Sequence, residues 1–204
     1  MRAGWADDVA AVIRVIEQHS AKADAAACFP VEALSALRAR VLLGLLVPVE
    51  HGGRGGDLDD LVDVTAELGR ADLSVAMIFA MHCQQVAVVD RYASGPFRDR
   101  VLRSVAAGEL YLASVTTDRH SGGSVGRVES STDRDGRLIH IDRDAPIVTG
   151  GAHADAFLVT VQQPSGAARP RSRSCMPRGT RCRPRSTGTG TRSGCAPPRA
   201  CQCG

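Results

Sequence analysis

The sequence is poor in aromatic residues, contains a single lysine and has no long uninterrupted apolar run. Aromatic side chains are 3% of its 204 residues, although hydrophobic residues reach 44%, so leucine, valine and alanine must fill any core. Lysine and arginine total 25, and only Lys22 is a lysine, which we interpret as codon bias of a GC-rich gene. No stretch has the ~18 apolar residues needed to cross a membrane, and the acidic start is not typical of a secretory signal peptide.

Charge and cysteine divide the chain near residue 168. Residues 169–204 contain nine arginines and no Asp or Glu, and because the whole chain is +3, residues 1–168 carry 3 − 9 = −6. Five of the seven cysteines also lie in the last segment. We expect the acidic part to be a reduced, cytoplasmic protein. The last part lacks Val, Ile, Leu and aromatic residues, which predicts a disordered tail over 168–204, rich in Arg, Pro and Cys.

The abrupt change at residue 168 has a possible genetic origin. Translation of a GC-rich gene in a wrong reading frame yields an amino-acid sequence rich in Arg, Pro, Cys and Gly. We therefore hypothesise a frameshift near residue 168. Resequencing would reject this if the frame held and no related sequence lay in another frame downstream. The tail has no C-x-x-C pair, which argues against a zinc site. Its arginines suggest only non-specific contact with nucleic acid phosphates, since no aromatic residue is present for base stacking.

Apolar residues recur at helical spacing throughout the first half of the chain. Asp57 precedes an apolar-periodic segment and is therefore predicted to cap a helix. The helix that begins at Asp72 has too few charges for a surface position. We therefore expect this helix at the centre of the domain, with His82 and Cys83 in the core. The glycine-rich segment 52–56 lacks the Lys-Ser/Thr of a phosphate-binding loop, which favours a structural turn. The predicted helices span 5–27, 31–43, 58–69, 72–92 and 96–107.

The spacing of apolar residues along the sequence changes after Glu109. Short segments with alternating or β-branched residues follow, and glycine or charged turns such as 133–136 separate them. The predicted strands span 110–116, 125–132, 138–141, 147–149 and 156–161. Because helices precede strands, we predict an α+β protein. It would have an N-terminal all-α helical domain over 1–108 and a small, partial antiparallel β domain over 109–167.

The order of motifs resembles that of the acyl-CoA dehydrogenase family. The family has Gly-Leu, then a proline, then G-G-x-G, and the segment 44–55 is similar to this order. Gly-Glu before the first strand of the family is matched by Gly108-Glu109. The flavin loop T-E-P-x-x-G-S-D lies without a gap over 117–124, where Thr117 and Gly122 are identical. The motif G-x-K-x-x-I-T lies over 143–149, where Thr149 is identical and Arg143 and Ala145 replace Gly and Lys. The resemblance covers 5–168.

The resemblance implies FAD as a cofactor and a specific set of contacts. Reduced flavin carries negative charge around N1 and the C2 carbonyl oxygen, which N–H groups and hydroxyls stabilise; Thr116 and Thr117 would serve there. Thr149 would lie near N5, and Ile147 would lie against the ring system. Gly123 lies where the family often has a serine against the acyl-CoA. The implied cofactor-binding residues are Ser114, Val115, Thr116, Thr117, Gly122, Ile147 and Thr149.

The reaction implied by the resemblance is α,β-dehydrogenation of an acyl thioester, carried either on CoA or on an acyl-carrier protein. The family's catalytic base is a Glu in a C-terminal domain, so we assign no catalytic residue and expect a truncated protein that is inactive alone. Family members form homo-oligomers, a property we do not extend to this chain. Two alternatives stay open. One is a flavin-dependent monooxygenase of the same fold, and the other is a non-enzymatic remnant with a basic tail.

Overall fold

The computed structural model describes residues 3–117, 132–135, 138–141, 143–161 and 173–175. Five α-helices come first and strands follow, as the sequence predicts. The helices are α1 (Ala6–Ala25), α2 (Val31–Ala39), α3 (Leu58–Ala71), α4 (Leu73–Tyr92) and α5 (Gly95–Ala106). Short 3-10 segments lie at Ala3–Trp5, Leu42–Gly44, Val49–His51 and Gly151–His153. The strands are β1 (Leu112–Val115), β2 (Thr132–Asp135), β3 (Leu138–Ile141), β4 (Ala156–Val161) and β5 (Arg173–Cys175).

Two aspartates set the starts of the middle helices. Asp57 accepts a hydrogen bond from the Asp60 amide, and the Asp60 carboxylate accepts one from the Asp57 amide, which forms a reciprocal capping box at α3. Asp72 accepts hydrogen bonds from the amides of Ser74 and Val75 and so caps α4. Both caps satisfy amides that have no partner inside the helix.

The second helix is shorter than predicted. It ends at Ala39, and Val41 adopts a left-handed conformation with φ 54°. The apolar residues that follow are still buried, but they reach the core from a tight turn and a short 3-10 segment rather than from the α-helix. Arg54 fixes that turn, because its guanidinium donates to the carbonyls of Arg40 and Val41 and pairs with Asp8. The glycine-rich segment therefore serves as a structural turn around Arg54.

Helix α4 is central. Val75 and Phe79 belong to one buried cluster shared with α1, α2 and α3, whereas Val86 and Val89 belong to a second one with α5, β1 and β4. By length and composition α4 could cross a membrane, yet half of its most apolar window is buried inside this fold. Such burial is typical of a core helix in a globular domain.

The prediction of a purely antiparallel β domain is wrong. β1 and β4 run parallel, with Ser114 opposite Leu158, while β5 joins β4 antiparallel to complete a three-stranded sheet. β2 and β3 form a separate antiparallel pair. Parallel neighbours need a long crossover, and here the chain between β1 and β4 supplies it. Alternation and turn signals indicate strands but not which strands become neighbours.

Three local predictions also need correction. Residues 147–149 are not a strand but lead into a turn at 149–150, and 133–135 belong to β2 rather than to a turn. Arg173–Cys175 form β5 within the tail that we expected to be disordered, because pairing with β4 uses backbone groups and needs no apolar side chain. The rest of the tail and the predicted strand segment 125–131 lie outside the described residues.

Candidate functional site

A buried histidine fixes the start of β1 against the helices. His82 in α4 is fully buried, its Nδ1 accepts a hydrogen bond from the Leu112 amide at 2.9 Å, and its Nε2 donates to the Leu43 carbonyl at 3.0 Å. Burial lowers the pKa of His82 to about 4, so the ring is neutral near pH 7. Its bonding is structural, as the core assignment predicts.

A carboxylate aligns the first residues of β1 and β4. Oδ2 of Asp155 accepts hydrogen bonds from the Tyr111 amide at 2.7 Å and from Nη2 of Arg38 at 2.6 Å. Arg38 also donates to the Gly108 carbonyl at 2.6 Å. The two parallel strands thus begin together beside α2, and their carboxyl ends reach the same edge of the sheet. Ligands of parallel sheets commonly bind outside the carboxyl ends of the strands.

Three predicted flavin-contacting residues meet at that edge. Thr116 and Thr117 follow β1 directly and are half-buried, and Oγ1 of Thr117 donates to the Ile147 carbonyl at 2.7 Å. Ile147 is a large apolar side chain with 67% of its surface exposed. The edge therefore offers threonine hydroxyls beside an open apolar face. The hydrogen of the Thr117 hydroxyl is engaged with Ile147, so toward a ligand its oxygen is free to accept.

The remaining predicted site residues lie at different depths. Ser114 is buried within β1, Val115 is half-buried at its end, and Thr149 is half-buried two residues beyond Ile147. Gly122 and Gly123 lie outside the described residues. The binding role of each of these residues, like that of Thr117 and Ile147, stays a prediction.

The turn that follows Ile147 packs on β1 through a glycine. Gly150 has φ 66°, and a Cβ atom there would overlap the hydroxyl of Tyr111. Tyr111 is itself buried, and burial raises its pKa to about 12, so the phenol stays neutral. Gly150 thereby holds the segment that contains Ile147 and Thr149 against the sheet.

Arg143, which the motif match does not mark as a site residue, binds several main-chain carbonyls at the edge. Nη2 of Arg143 donates to the carbonyls of Thr116 and Thr117, both at 2.8 Å, and its Nε donates to the Thr117 carbonyl at 3.1 Å. Nη1 of Arg143 donates to the carbonyl of Thr160 in β4 at 2.6 Å. The available signal was an arginine at a motif position where the family has glycine.

Metal chemistry has no visible basis in the part of the chain that the structure describes. No group of three His, Cys, Asp or Glu side chains there lies close enough to hold a metal ion. Cys83 is buried in the core, and burial raises the pKa of its thiol far above the usual range, so this thiol is unsuited to act as a thiolate ligand or nucleophile.

The helical half of the chain identifies its family. Residues 7–109, which are 103 of the 204 residues, match the family described as "Acyl-CoA dehydrogenase, N-terminal domain". The chain therefore belongs to the acyl-CoA dehydrogenase family, as the motif order indicates.

Relatives of two kinds share this fold. A probable acyl-CoA dehydrogenase of Mycobacterium leprae is 31% identical over 121 residues, which are 59% of this chain and 31% of that protein. A dibenzothiophene monooxygenase of Mycolicibacterium goodii is 31% identical over 85 residues, which are 42% of this chain and 20% of that protein. The chain thus spans a third or less of the length of these two relatives.

A solved structure extends the likeness across the sheet. KijD3 in complex with FMN and dTDP-3-amino-2,3,6-trideoxy-4-keto-3-methyl-D-glucose matches with a TM-score of 0.72 and 25% identity, over 84% of this chain and 42% of that one. The match extends well beyond residue 109 and so includes strands as well as helices.

Proposed function

We propose that this chain binds a flavin at the carboxyl edge of β1 and β4. The observation that carries the proposal is the hydrogen bond from Thr117 to the Ile147 carbonyl. This bond joins the end of β1 to Ile147. Among the described residues between Ile141 and β4, Ile147 is the large apolar residue whose side chain is exposed. A flavin ring system needs an apolar surface for its face and polar groups for its rim, and this edge offers both.

The residues present suit the electrostatics of a flavin. Reduced flavin concentrates negative charge at N1 and at the C2 carbonyl oxygen, where preorganised donors stabilise it best. Thr116 and Thr117 lie on a strand end that is tied to β4 and to residue 147, so their positions are fixed before a ligand arrives. For the Thr117 hydroxyl to donate to a flavin, it must turn away from Ile147.

The reaction that we propose first is FAD-dependent α,β-dehydrogenation of an acyl thioester, on CoA or on an acyl-carrier protein. Membership of the acyl-CoA dehydrogenase family supports it. When bound, the flavin would accept the β-hydrogen as hydride while a carboxylate removes the α-proton. No acidic side chain of this chain is assigned as that base, so we expect binding of flavin without turnover.

A flavin-dependent monooxygenase is the second candidate. The dibenzothiophene monooxygenase relative and the FMN complex of KijD3 favour it, and the replacement of the family's motif lysine by Ala145 sets this chain apart from the dehydrogenase pattern. A monooxygenase that uses reduced flavin must bind the reduced form tightly, whereas a dehydrogenase keeps oxidised flavin as a resident cofactor. The preferred oxidation state of the flavin therefore separates the two candidates.

Anaerobic titration of the purified chain tests the proposal. FAD and FMN are added separately, each oxidised and then reduced, and the Kd is obtained from flavin fluorescence or absorbance. Tighter binding of oxidised FAD supports dehydrogenation, and tighter binding of a reduced flavin supports monooxygenation. An absence of saturable binding to all four ligands rejects both.

An isosteric variant locates the site. Thr117→Val removes the hydroxyl but keeps the shape, and the loss of one hydrogen bond should raise the Kd by up to about tenfold. The matched control is Thr65→Val in α3, where the buried hydroxyl finds no hydrogen-bond partner among the described residues. That change should leave the Kd unaltered. Equal affinity of the Thr117 variant and the control would mean that the flavin binds elsewhere.

A further inference from the structure

Arg143 joins the carboxyl ends of two parallel strands. Within the part of the chain that the structure describes, its guanidinium makes four hydrogen bonds to three main-chain carbonyls, those of Thr116 and Thr117 after β1 and that of Thr160 in β4. We propose that Arg143 is a positioning residue for the flavin edge, which orients the main chain at Thr116 and Thr117 and makes the edge favour a reduced, negatively charged flavin. This inference rests on the proposed flavin site and, of the two candidate reactions, it agrees with the monooxygenase, for which we expect tighter binding of reduced flavin.

The first argument concerns unpaired backbone groups. A β ladder ends where its strands end, and carbonyl oxygens there need another donor if water is to be excluded. Val115 opposite Val159 is the last pair of the β1–β4 register, so Thr116 and Thr117 follow the ladder directly. Arg143 supplies the missing donors from the side. Without it, three carbonyl oxygens at a ligand-binding edge would each need water or another partner.

The second argument concerns the direction of the peptide groups. In a trans peptide the carbonyl and the following N–H point in opposite directions. Because the Thr116 carbonyl points to Arg143, the Thr117 N–H points away from it. The guanidinium thereby selects the side on which the strand end presents its donors, and donors are what the electron-rich rim of a reduced flavin requires.

The third argument concerns sign of charge. Carbonyl oxygens carry partial negative charge and would repel the N1–C2 rim of a reduced flavin. A guanidinium is always protonated and binds such oxygens in a planar fork. Arg143 is half-buried. Its positive charge lies within hydrogen-bonding distance of the carbonyl oxygens and offsets their partial negative charge. Oxidised flavin is neutral at this rim, so Arg143 should matter more for the reduced form.

The experiment compares Arg143→Met and Arg143→Lys with a matched pair, Arg54→Met and Arg54→Lys, in the full chain. Arg54 also donates to two backbone carbonyls, but at the 40–41 turn. Two quantities are measured for each variant. They are the Kd for oxidised and for reduced flavin under anaerobic conditions, and the amide hydrogen exchange, without flavin, of peptides that cover 112–117 and 156–161.

The expected result has three parts. Arg143→Met should raise the Kd for reduced flavin about tenfold or more, because a reoriented strand end would lose one main-chain hydrogen bond to the charged flavin rim, and should raise the Kd for oxidised flavin less. Arg143→Lys should be intermediate, because an ammonium keeps the charge but cannot reach all three carbonyls at once. Exchange in both peptides should quicken in the Arg143 variants and stay at the wild-type rate in the Arg54 variants.

Failure of the inference and failure of the proposed function give different results. If the wild-type chain binds flavin and Arg143→Met binds both oxidation states as tightly as the wild type does, the inference is overturned and the proposed function stands. If the wild-type chain binds no flavin, the proposed function fails and the flavin part of the inference fails with it. Unchanged exchange in Arg143→Met overturns the orienting role whatever the flavin result.

Discussion

Acidification below neutral pH should destabilise this protein through His82. The ring is fully buried, and burial lowers its pKa from 6.5 to about 4, an effect that the Leu43 carbonyl offsets only in part. The unfolded chain therefore binds a proton on His82 at a higher pH than the folded chain does. Stability rises with pH wherever the unfolded state binds more protons. The contribution of His82 is thus complete above about pH 6.5 and is lost as the pH falls to about 4.

The magnitude follows from the difference in pKa. The difference between 6.5 and about 4 corresponds to roughly 3 kcal/mol, most of which should be lost by pH ~4.5. Asp8 does not contribute in this pH range, because hydrogen bonding to Arg54 lowers the pKa of its carboxyl below 3.8. The Asp8 contribution is therefore complete above that value and is lost only at lower pH. A loss of this size is a large part of the stability of an ordinary domain.

Urea unfolding followed by circular dichroism measures the effect. The free energy of unfolding of wild type is compared with that of His82→Asn at several pH values from about 7.5 to about 4.5. The asparagine keeps an acceptor for the Leu112 amide and has no proton to gain. It should be less stable near neutrality by about 1–3 kcal/mol, but between pH ~7.5 and ~4.5 its free energy of unfolding should fall by roughly 2–3 kcal/mol less than that of wild type. Parallel profiles for the two proteins would refute the buried neutral histidine.

Two further predictions concern backbone geometry. Gly150→Ala should cost about 1–2 kcal/mol for its left-handed backbone and about 1–3 kcal/mol more for overlap with buried Tyr111. Gly95→Ala, also at positive φ but with open space around it, should show only the first cost in thermal or urea unfolding, and equal losses would contradict the packing argument. Asp72→Ala should cost about 0.5–2 kcal/mol through loss of the α4 cap; Asp72→Asn, which can still accept both amides, should recover most of it, and no recovery would mean that the cap is not the cause.

The helical half could be predicted almost fully from the sequence, because helices are local. Asp57 and Asp72 mark helix starts through contacts two or three residues away, and apolar spacing reports the buried face directly. The predicted end of the second helix was wrong because a residue distant in the sequence determines where that helix ends. The end of α2 depends on Arg54, which holds the 40–41 turn from 13 and 14 residues away, and no local signal in 31–43 reveals it.

The sheet was harder because its decisive contacts are non-local. β1, β3 and β4 could be located from the sequence. The parallel pairing of β1 with β4, however, depends on the long crossover and on Asp155, whose carboxylate binds the Tyr111 amide 44 residues earlier. A β5 strand in an arginine-rich tail has no hydrophobic pattern at all. Composition predicts whether a segment can build a core, not whether its backbone can complete an existing sheet edge.

The candidate site shows what motif comparison weighs wrongly. Thr117 and Thr149 were found because they are identical to the family pattern, and Arg143 was overlooked because it departs from it. Yet Arg143 lies 26 and 27 residues from the two threonine carbonyls that it binds and 17 from the third. Only the parallel pairing of β1 and β4 brings these carbonyls together. Once that pairing is known, the replacement of the family's glycine by arginine at position 143 is seen to add contacts and not only to remove a motif residue. A side chain with five donors now lies beside three carbonyl oxygens at the end of a ladder, where a glycine has none to offer.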